Sequence, residues 1–161
     1  MNIDFINPFI DAVSDVLITM AVLQCNPEKA VSKQEFEDQG DVIQGDVTGI
    51  VGMVGDQFKG FVAISFTAPV ALGIAERMLG EELETIDETI TDLVGELTSM
   101  IAGGAKLRLS EQNCEFGMAT PLVVVGDCHR IFLSVKGGSS VIPFSTEVGD
   151  FFIEMYFGPV N

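Results

Sequence analysis

Acidic residues outnumber basic ones by 24 to 8 in a chain of 161, a net charge of −16 with no basic stripe. That balance argues against nucleic acid and anionic membrane surfaces as partners. Hydrophobic residues make up 47% of the chain, too many for a disordered polymer and enough for a single domain over 1–161 with a sizeable core. No apolar run approaches the ~18 residues of a membrane helix, and no basic residue precedes the first apolar turns, so neither a transmembrane span nor a signal peptide is expected. Cys25, Cys114 and Cys128 form no CxxC pair, which suits free thiols in a reducing cytoplasm. His129 is the only histidine in the chain, so no metal site is expected.

In chain order, Asn7-Pro8 reads as the N-cap and first position of a helix whose apolar face is Phe9, Val13, Val16, Leu17 and Met20, ending before Asn26-Pro27. Glu28 to Asp41 is polar and predicts a loop with a short strand. Val42 to Val54 alternates Val47, Gly49, Val51 and Met53, a strand with a bulge or close approach at its glycines. Gly55 to Gly60 is a hairpin connection to a strand over Phe61 to Phe66, whose unbroken apolar run predicts burial on both faces. Thr67 to Leu79, with Pro69 near its start and Gly80 at its end, is a shorter helix with Val70, Ile74, Met78 and Leu79 on its apolar side.

The longest periodic segment follows. From Asp87 to Arg108, Ile90, Leu93, Val94, Leu97, Ile101 and Ala105 recur at three- and four-residue steps, one buried face of a long helix. Asp87 is the expected N-cap, and Lys106 and Arg108 suit the negative end of the helix dipole. The opposite face carries Glu88, Asp92, Glu96, Ser99, Gly103 and Lys106. Gly95, Gly103 and Gly104 each cost about 1 kcal/mol relative to Ala inside a helix. Close packing against the protein's own sheet would explain them, and so would the approach of another backbone. Beyond this helix, Phe116 to Val125 predicts a strand, Gly126-Asp127 a turn and His129 to Val135 a returning strand. Gly137-Gly138 turns again before strands over Val141 to Phe144 and Phe151 to Phe157. Pro143 argues that the first of these lies at an edge or ends early.

On an isolated helix Asp92 and Glu96 would be ordinary solvated residues. A Ser nucleophile needs a histidine base, and His129 lies in a different segment, so a Ser99–His129 hydrolase is not expected. The spacing Asp92-x3-Glu96-x2-Ser99, followed after 21 residues by Pro121, resembles the signature of the CheC/CheX/FliY phosphatases of bacterial chemotaxis. The flanks Met100-Ile-Ala-Gly103 and Ala105-Lys106 agree, as do Ile6-Asn-Pro-Phe-Ile10 and Gly73-Ile-Ala-Glu-Arg-Met-Leu-Gly80, so the likeness to CheX spans nearly the whole chain. It departs at one place: the family's Asn is Ser99 here.

The resemblance implies an α+β fold, an antiparallel sheet with long helices packed on one face, built from a duplicated helix-plus-strands unit. Two Val-Gly-Asp turns, at Val54 and Val125, hint at that duplication. The first helix has Asp11, Asp15 and Ile18 where the second has Asp92, Glu96 and Ser99, so one site is expected rather than two. The implied substrate is the acyl phosphate on the aspartate of a phosphorylated receiver domain (CheY-like). This is a reactive phosphoanhydride whose hydrolysis needs little beyond a positioned water. Glu96 would pair with the receiver's lysine, and Ser99 would place the water in the role of the family's Asn amide. Asp92, Gly103 and Lys106 would complete the partner-binding stripe, with Pro121 the motif proline. No cofactor of the chain's own is implied; Mg²⁺ belongs to the receiver.

Ser99 has a shorter side chain and a single polar atom. Binding without catalysis, and a structural role in a flagellar or signalling assembly, are therefore alternatives. The apolar final strand, taken as a sheet edge, predicts pairing into a homodimer.

Overall fold

The computed structural model describes residues 2–132 and 135–160. The first helix, α1 (Ile6–Ala21), begins earlier than Asn7-Pro8 suggests, because Asp4 does the capping. Asp4 Oδ1 accepts the backbone N–H groups of Ile6 and Asn7, both at 3.0 Å, and the Asn7 amide donates to Asp4 Oδ2 at 2.8 Å. Asn7 and Pro8 thus lie inside the first turn.

Two short strands, β1 (Asn26–Pro27) and β2 (Val31–Ser32), lead into a helix the sequence reading lacked, α2 (Lys33–Asp38). Its signal was present as Ser32-Lys-Gln-Glu35, a capping-box spacing: Ser32 Oγ accepts the Glu35 N–H at 3.1 Å. β3 (Gly45–Val54) and β4 (Phe58–Phe66) then form the predicted hairpin, in register from Val47↔Phe66 to Val54↔Lys59. α3 (Ala68–Leu79) starts at Thr67 and stops at Gly80, whose φ of +72° suits glycine. α4 (Glu88–Ser110) is the long amphipathic helix, and Asp87 caps it by accepting the Ile90 N–H at 3.3 Å.

After α4 the chain departs from expectation. β5 (Gly117–Met118) and β6 (Leu122–His129) both pair with β3, and Gly126-Asp127 lies within β6 instead of turning. They form a bulge there: Gly126, Asp127 and Cys128, the last with φ +52°, together stand opposite Asp46, at the register shift between Gly45 and Val47. Of the expected returning strand His129 to Val135, only His129 is strand among the described residues; residues 133 and 134 lie outside them. The second Val-Gly-Asp is therefore not a turn, while the first, Val54-Gly55-Asp56, is at the hairpin.

β7 (Ser140–Thr146) and β8 (Gly149–Pro159) form the last hairpin. The eight-stranded antiparallel sheet runs β1-β7-β8-β4-β3-β5, with β2 beside β1 on β7 and β6 beside β5 on β3. β8 is central. β7 pairs it from Gly149 to Met155 and β4 from Phe152 to Pro159, so the edge strand expected at Phe151 to Phe157 does not exist. The dimer predicted from that edge loses its premise. The strand is apolar on both sides because both sides are covered. Phe151, Ile153 and Met155 lie in the main core. On the opposite face Phe152 meets Phe36 of α2, ring centroids 5.5 Å apart, and Glu154 binds Lys33 Nζ at 3.1 Å and the Ser139 hydroxyl at 2.6 Å. The strand of Pro143 is neither an edge nor cut short: β7 runs on to Thr146 with β8 on one side and β1 and β2 on the other, and Pro143 fits in the gap between the β1 and β2 pairings, where its carbonyl accepts the Glu28 N–H.

The topology is that of a duplicated unit. β4 and β8 pair at the centre, and β3 and β7 flank them. Each half sends its outer strands across to the other: β5 and β6 lie on β3, whereas β1 and β2 lie on β7. α1 and α4 pack together on one face, where a Cβ on Gly104 would stand 3.2 Å from Ala12 Cβ. Phe9, Leu17, Ile64, Phe66, Ile90, Leu97, Ile101 and Phe144 fill the space beneath them, each fully buried. Each such side chain contributes about 1.5–3 kcal/mol by leaving water.

Candidate functional site

The depth at which α4 sits is set by one glycine. Thr98 Oγ1 donates to the Val94 carbonyl at 2.7 Å, and its side chain lies directly on Gly49 of β3. A Cβ on Gly49 would overlap Thr98 Oγ1. The buried helix face is the one predicted, from Ile90 through Leu93, Val94, Leu97 and Ile101 to Ala105, so the opposite stripe is turned to solvent.

On that stripe Asp92 and Glu96 are exposed, and Ser99, Gly103 and Lys106 are half-exposed. Ion pairs among the described residues are Lys33–Glu154, Arg77–Glu147, Arg108–Asp15 and Arg130–Glu37, so the charges of Glu96 and Lys106 are uncommitted. The Ser99 hydroxyl is uncommitted too. A helical hydroxyl normally bonds back to a carbonyl one turn earlier, as Thr91, Thr98 and Ser110 do to Glu88, Val94 and Leu107. Ser99 makes no such bond. Gly103 has nothing within 4 Å of where a Cβ would be, whereas a Cβ on Gly95 would stand 3.4 Å from Val123 and one on Gly104 would meet Ala12 of α1. The three helix glycines thus divide: two admit neighbouring chain and one leaves open space.

Residues 118–123 run alongside this stripe. Met118 shares a cavity with Gly103 at one end, and Val123 touches Gly95 at the other. Pro121 lies between them in the chain, in the break between β5 and β6 where this segment leaves its pairing with β3. A proline has no N–H for the ladder.

Other candidates do not join the stripe. His129 Nδ1 is 2.7 Å from the Gly126 carbonyl and Nε2 is 2.7 Å from Thr48 Oγ1, which also contacts Ser65 Oγ at 3.0 Å. A carbonyl only accepts, so Nδ1 carries the proton and Nε2 accepts from Thr48. Thr48 faces away from α4, since its neighbour Gly49 faces Thr98, so His129 and Ser99 lie on opposite sides of the sheet. Gln112 is held by Asp4, whose N–H and carbonyl it engages at 2.9 Å each, and supplies no amide to the stripe. Cys25 and Cys114 are buried, and burial pushes the Cys25 thiol up to about 11; neither is a nucleophile. On α1, Asp15 is engaged by Arg108 and Ile18 brings no polar atom.

One feature of the stripe escaped the sequence reading. Leu107 is 67% exposed, and with Gly103, Lys106, Ser110, Glu115 and Met118 it lines a cavity of about 460 Å³ continuous with the stripe. The signal was a leucine out of phase with Ile101, Ala105 and Leu109.

Among the described residues no three His, Cys, Asp or Glu side chains form a group able to hold a metal ion, and no helix is long and apolar enough to cross a membrane. Residues 47–145 match the family described as "Chemotaxis phosphatase CheX". Similar solved structures include the chemotaxis protein CheX of Vibrio vulnificus, 42% identical over 96% of this chain and 99% of that one, with a TM-score of 0.88. A CheC-like superfamily protein of Shewanella sp. PV-4 is 47% identical over 98% of this chain and 99% of that one, TM-score 0.88. The CheX of the CheX–CheY–BeF₃–Mg²⁺ complex from Borrelia burgdorferi is 27% identical, covering 99% of this chain and 100% of that one, TM-score 0.77. No curated protein matches. With the family match spanning more than half of the chain and these structures following it nearly end to end, the chain belongs to the CheX family of chemotaxis phosphatases.

Proposed function

We propose that the protein dephosphorylates the phosphoaspartate of a CheY-type receiver domain in the cytoplasm, using the outward stripe of α4. The observation that carries this reading is a Ser99 hydroxyl and a Glu96 carboxylate one turn apart on the outer face of α4, neither with a hydrogen-bond or ion-pair partner among the described residues. A Borrelia relative crystallised with CheY, BeF₃ and Mg²⁺ supports the partner class. Glu96 docks on a lysine of the receiver, and the Ser99 hydroxyl orients a water in line with the phosphoryl group. The water oxygen bonds to phosphorus as the bond to the aspartyl oxygen breaks. The electron pair returns to the aspartate carboxylate, and the proton leaves on inorganic phosphate. The substrate is already activated, so orientation supplies most of the catalysis. Mg²⁺ comes with the receiver. Asp92 and Lys106 flank the contact, and Gly103 leaves room for it.

A second reading, docking without hydrolysis, is favoured by the single polar atom of Ser99 and by the commitment of Gln112 to Asp4. Phosphate release from a ³²P-labelled receiver separates the two. Ser99→Asn is expected to raise release about tenfold or more, because misplacing a water by an ångström costs on the order of 100-fold. Ser99→Ala is expected to bring release to the receiver's own rate, and Glu96→Ala to abolish binding. Wild-type release at background with binding intact selects the docking reading. Normal binding by Glu96→Ala together with no response to Ser99→Asn removes both.

A further inference from the structure

We infer that the receiver's footprint does not stop at the catalytic stripe but continues into the cavity at the C-terminal end of α4. An apolar side chain of the receiver enters between Leu107 and Met118, and a neighbouring carboxylate of the receiver meets Lys106. The inference rests on the reading of the stripe given above and extends it to residues outside the Glu–Ser–Pro motif.

Three observations carry it. The first is continuity: Gly103 belongs both to the stripe and to the cavity, and the space above it is empty to 4 Å, so a body lying on Glu96 and Ser99 meets the cavity without a barrier. The second is Leu107. It is 67% exposed on the last turns of a helix whose other leucines are buried, and it lines the cavity together with Met118 and the stripe residues Gly103 and Lys106. The third is charge. The chain carries −16, yet the ammonium at this cavity has no ion pair among the described residues; Lys29, Lys59 and Lys136 are unpaired there too, but Lys106 is the one that adjoins the stripe, and Glu115 is the one carboxylate in the cavity lining. An uncommitted cation beside an apolar surface fits a partner that is acidic at that spot, and it offsets the repulsion between an acidic partner and this chain.

Calorimetric titration with a CheY-type receiver loaded with beryllofluoride tests this, alongside ³²P release. Leu107→Glu is expected to weaken binding about tenfold or more, as loss of a central apolar anchor does. Release at saturating receiver should stay within about twofold, since the groups that touch the phosphoryl remain. Lys106→Glu is expected to weaken binding similarly, and Lys106→Gln to flatten its dependence on salt. Lys59→Glu, the same charge change on an exposed lysine of β4, is expected to leave affinity unchanged. If Glu96→Ala abolishes binding while Leu107→Glu and Lys106→Glu bind as wild type does, the extended footprint is wrong and the stripe stands. If Lys59→Glu weakens binding as much as Lys106→Glu, the effect is one of net charge and the local contact is wrong. If Glu96→Ala itself binds normally, it is the stripe that fails.

Discussion

Single side chains in this protein are legible where their partners are local and misleading where they are not. Asp46 reads as an ordinary polar residue before a strand, yet it accepts N–H bonds from Cys128 at 2.9 Å and from Ala68, the start of α3, at 2.6 Å. Those bonds hold its carboxyl below the usual carboxylate range, against a smaller opposing effect of burial. A carboxyl lowered in the folded state adds stability above its unfolded pKa, about 3.9, and loses it as pH falls through the folded value. Asp46→Asn, which turns two charge-assisted hydrogen bonds into neutral ones, is therefore expected to lower stability by about 1 kcal/mol at pH 7. Its melting temperature should also fall less steeply than that of the wild type between pH 5 and pH 3, as differential scanning calorimetry would show. The cysteines make a second case. Cys128 is exposed, while burial raises the thiols of Cys25, to about 11, and of Cys114. In a thiol-reagent assay at pH 8, Cys128 alone is expected to react promptly, with the other two following only on unfolding.

At the scale of elements, the placement of α4 on the sheet depends on the contact between Gly49 and Thr98. Gly49→Ala forces the Thr98 side chain out of its position and lifts the helix, an overpacking cost of about 1–3 kcal/mol. Thermal denaturation is the measurement. Thr98→Ala in the same chain should restore much of the loss, a coupling that two independent sites would not show. The link to function is direct, because Glu96 and Ser99 ride on the outer side of the same turns. The helix boundaries followed local chemistry that the chain displays: Asp87 before α4, Thr67 before α3, Gly80 after it. α2 was missed although Ser32 and Glu35 spell its start, because six residues are too few for a periodic apolar pattern.

The whole molecule is held together by the exchange of outer strands between its halves. β5 and β6 complete the first half's edge at β3, and β1 and β2 complete the second half's edge at β7. Neither half has a finished sheet alone, and the central β4–β8 pair crosses between them as well. A fragment covering residues 81–161 is expected to lack a cooperative thermal transition by circular dichroism. Mixed with residues 1–80, it should regain one. A cooperative melt of the isolated fragment would show that the halves are independent.

What the chain determined by itself was whatever lies within a few residues or one helical turn. The period of Ile90 to Ala105 gave the buried face of α4. The same period, read from the other side, placed Asp92, Glu96, Ser99, Gly103 and Lys106 together on the outer face. The spacing to Pro121 carried the resemblance to the phosphatase family. Tertiary structure decided everything that depends on which strand lies beside which. Phe151 to Phe157 is as apolar on both sides as an aggregation-prone edge or a central strand would be, and periodicity cannot distinguish them. Only pairing with β4 and β7 does. Gly126-Asp127 has the composition of a turn, but the strand runs on through it as a bulge, because β3 pairs with Val125 before it and with His129 after it. Hydrogen-bond pairing and burial act between residues far apart in sequence, so no local pattern records them.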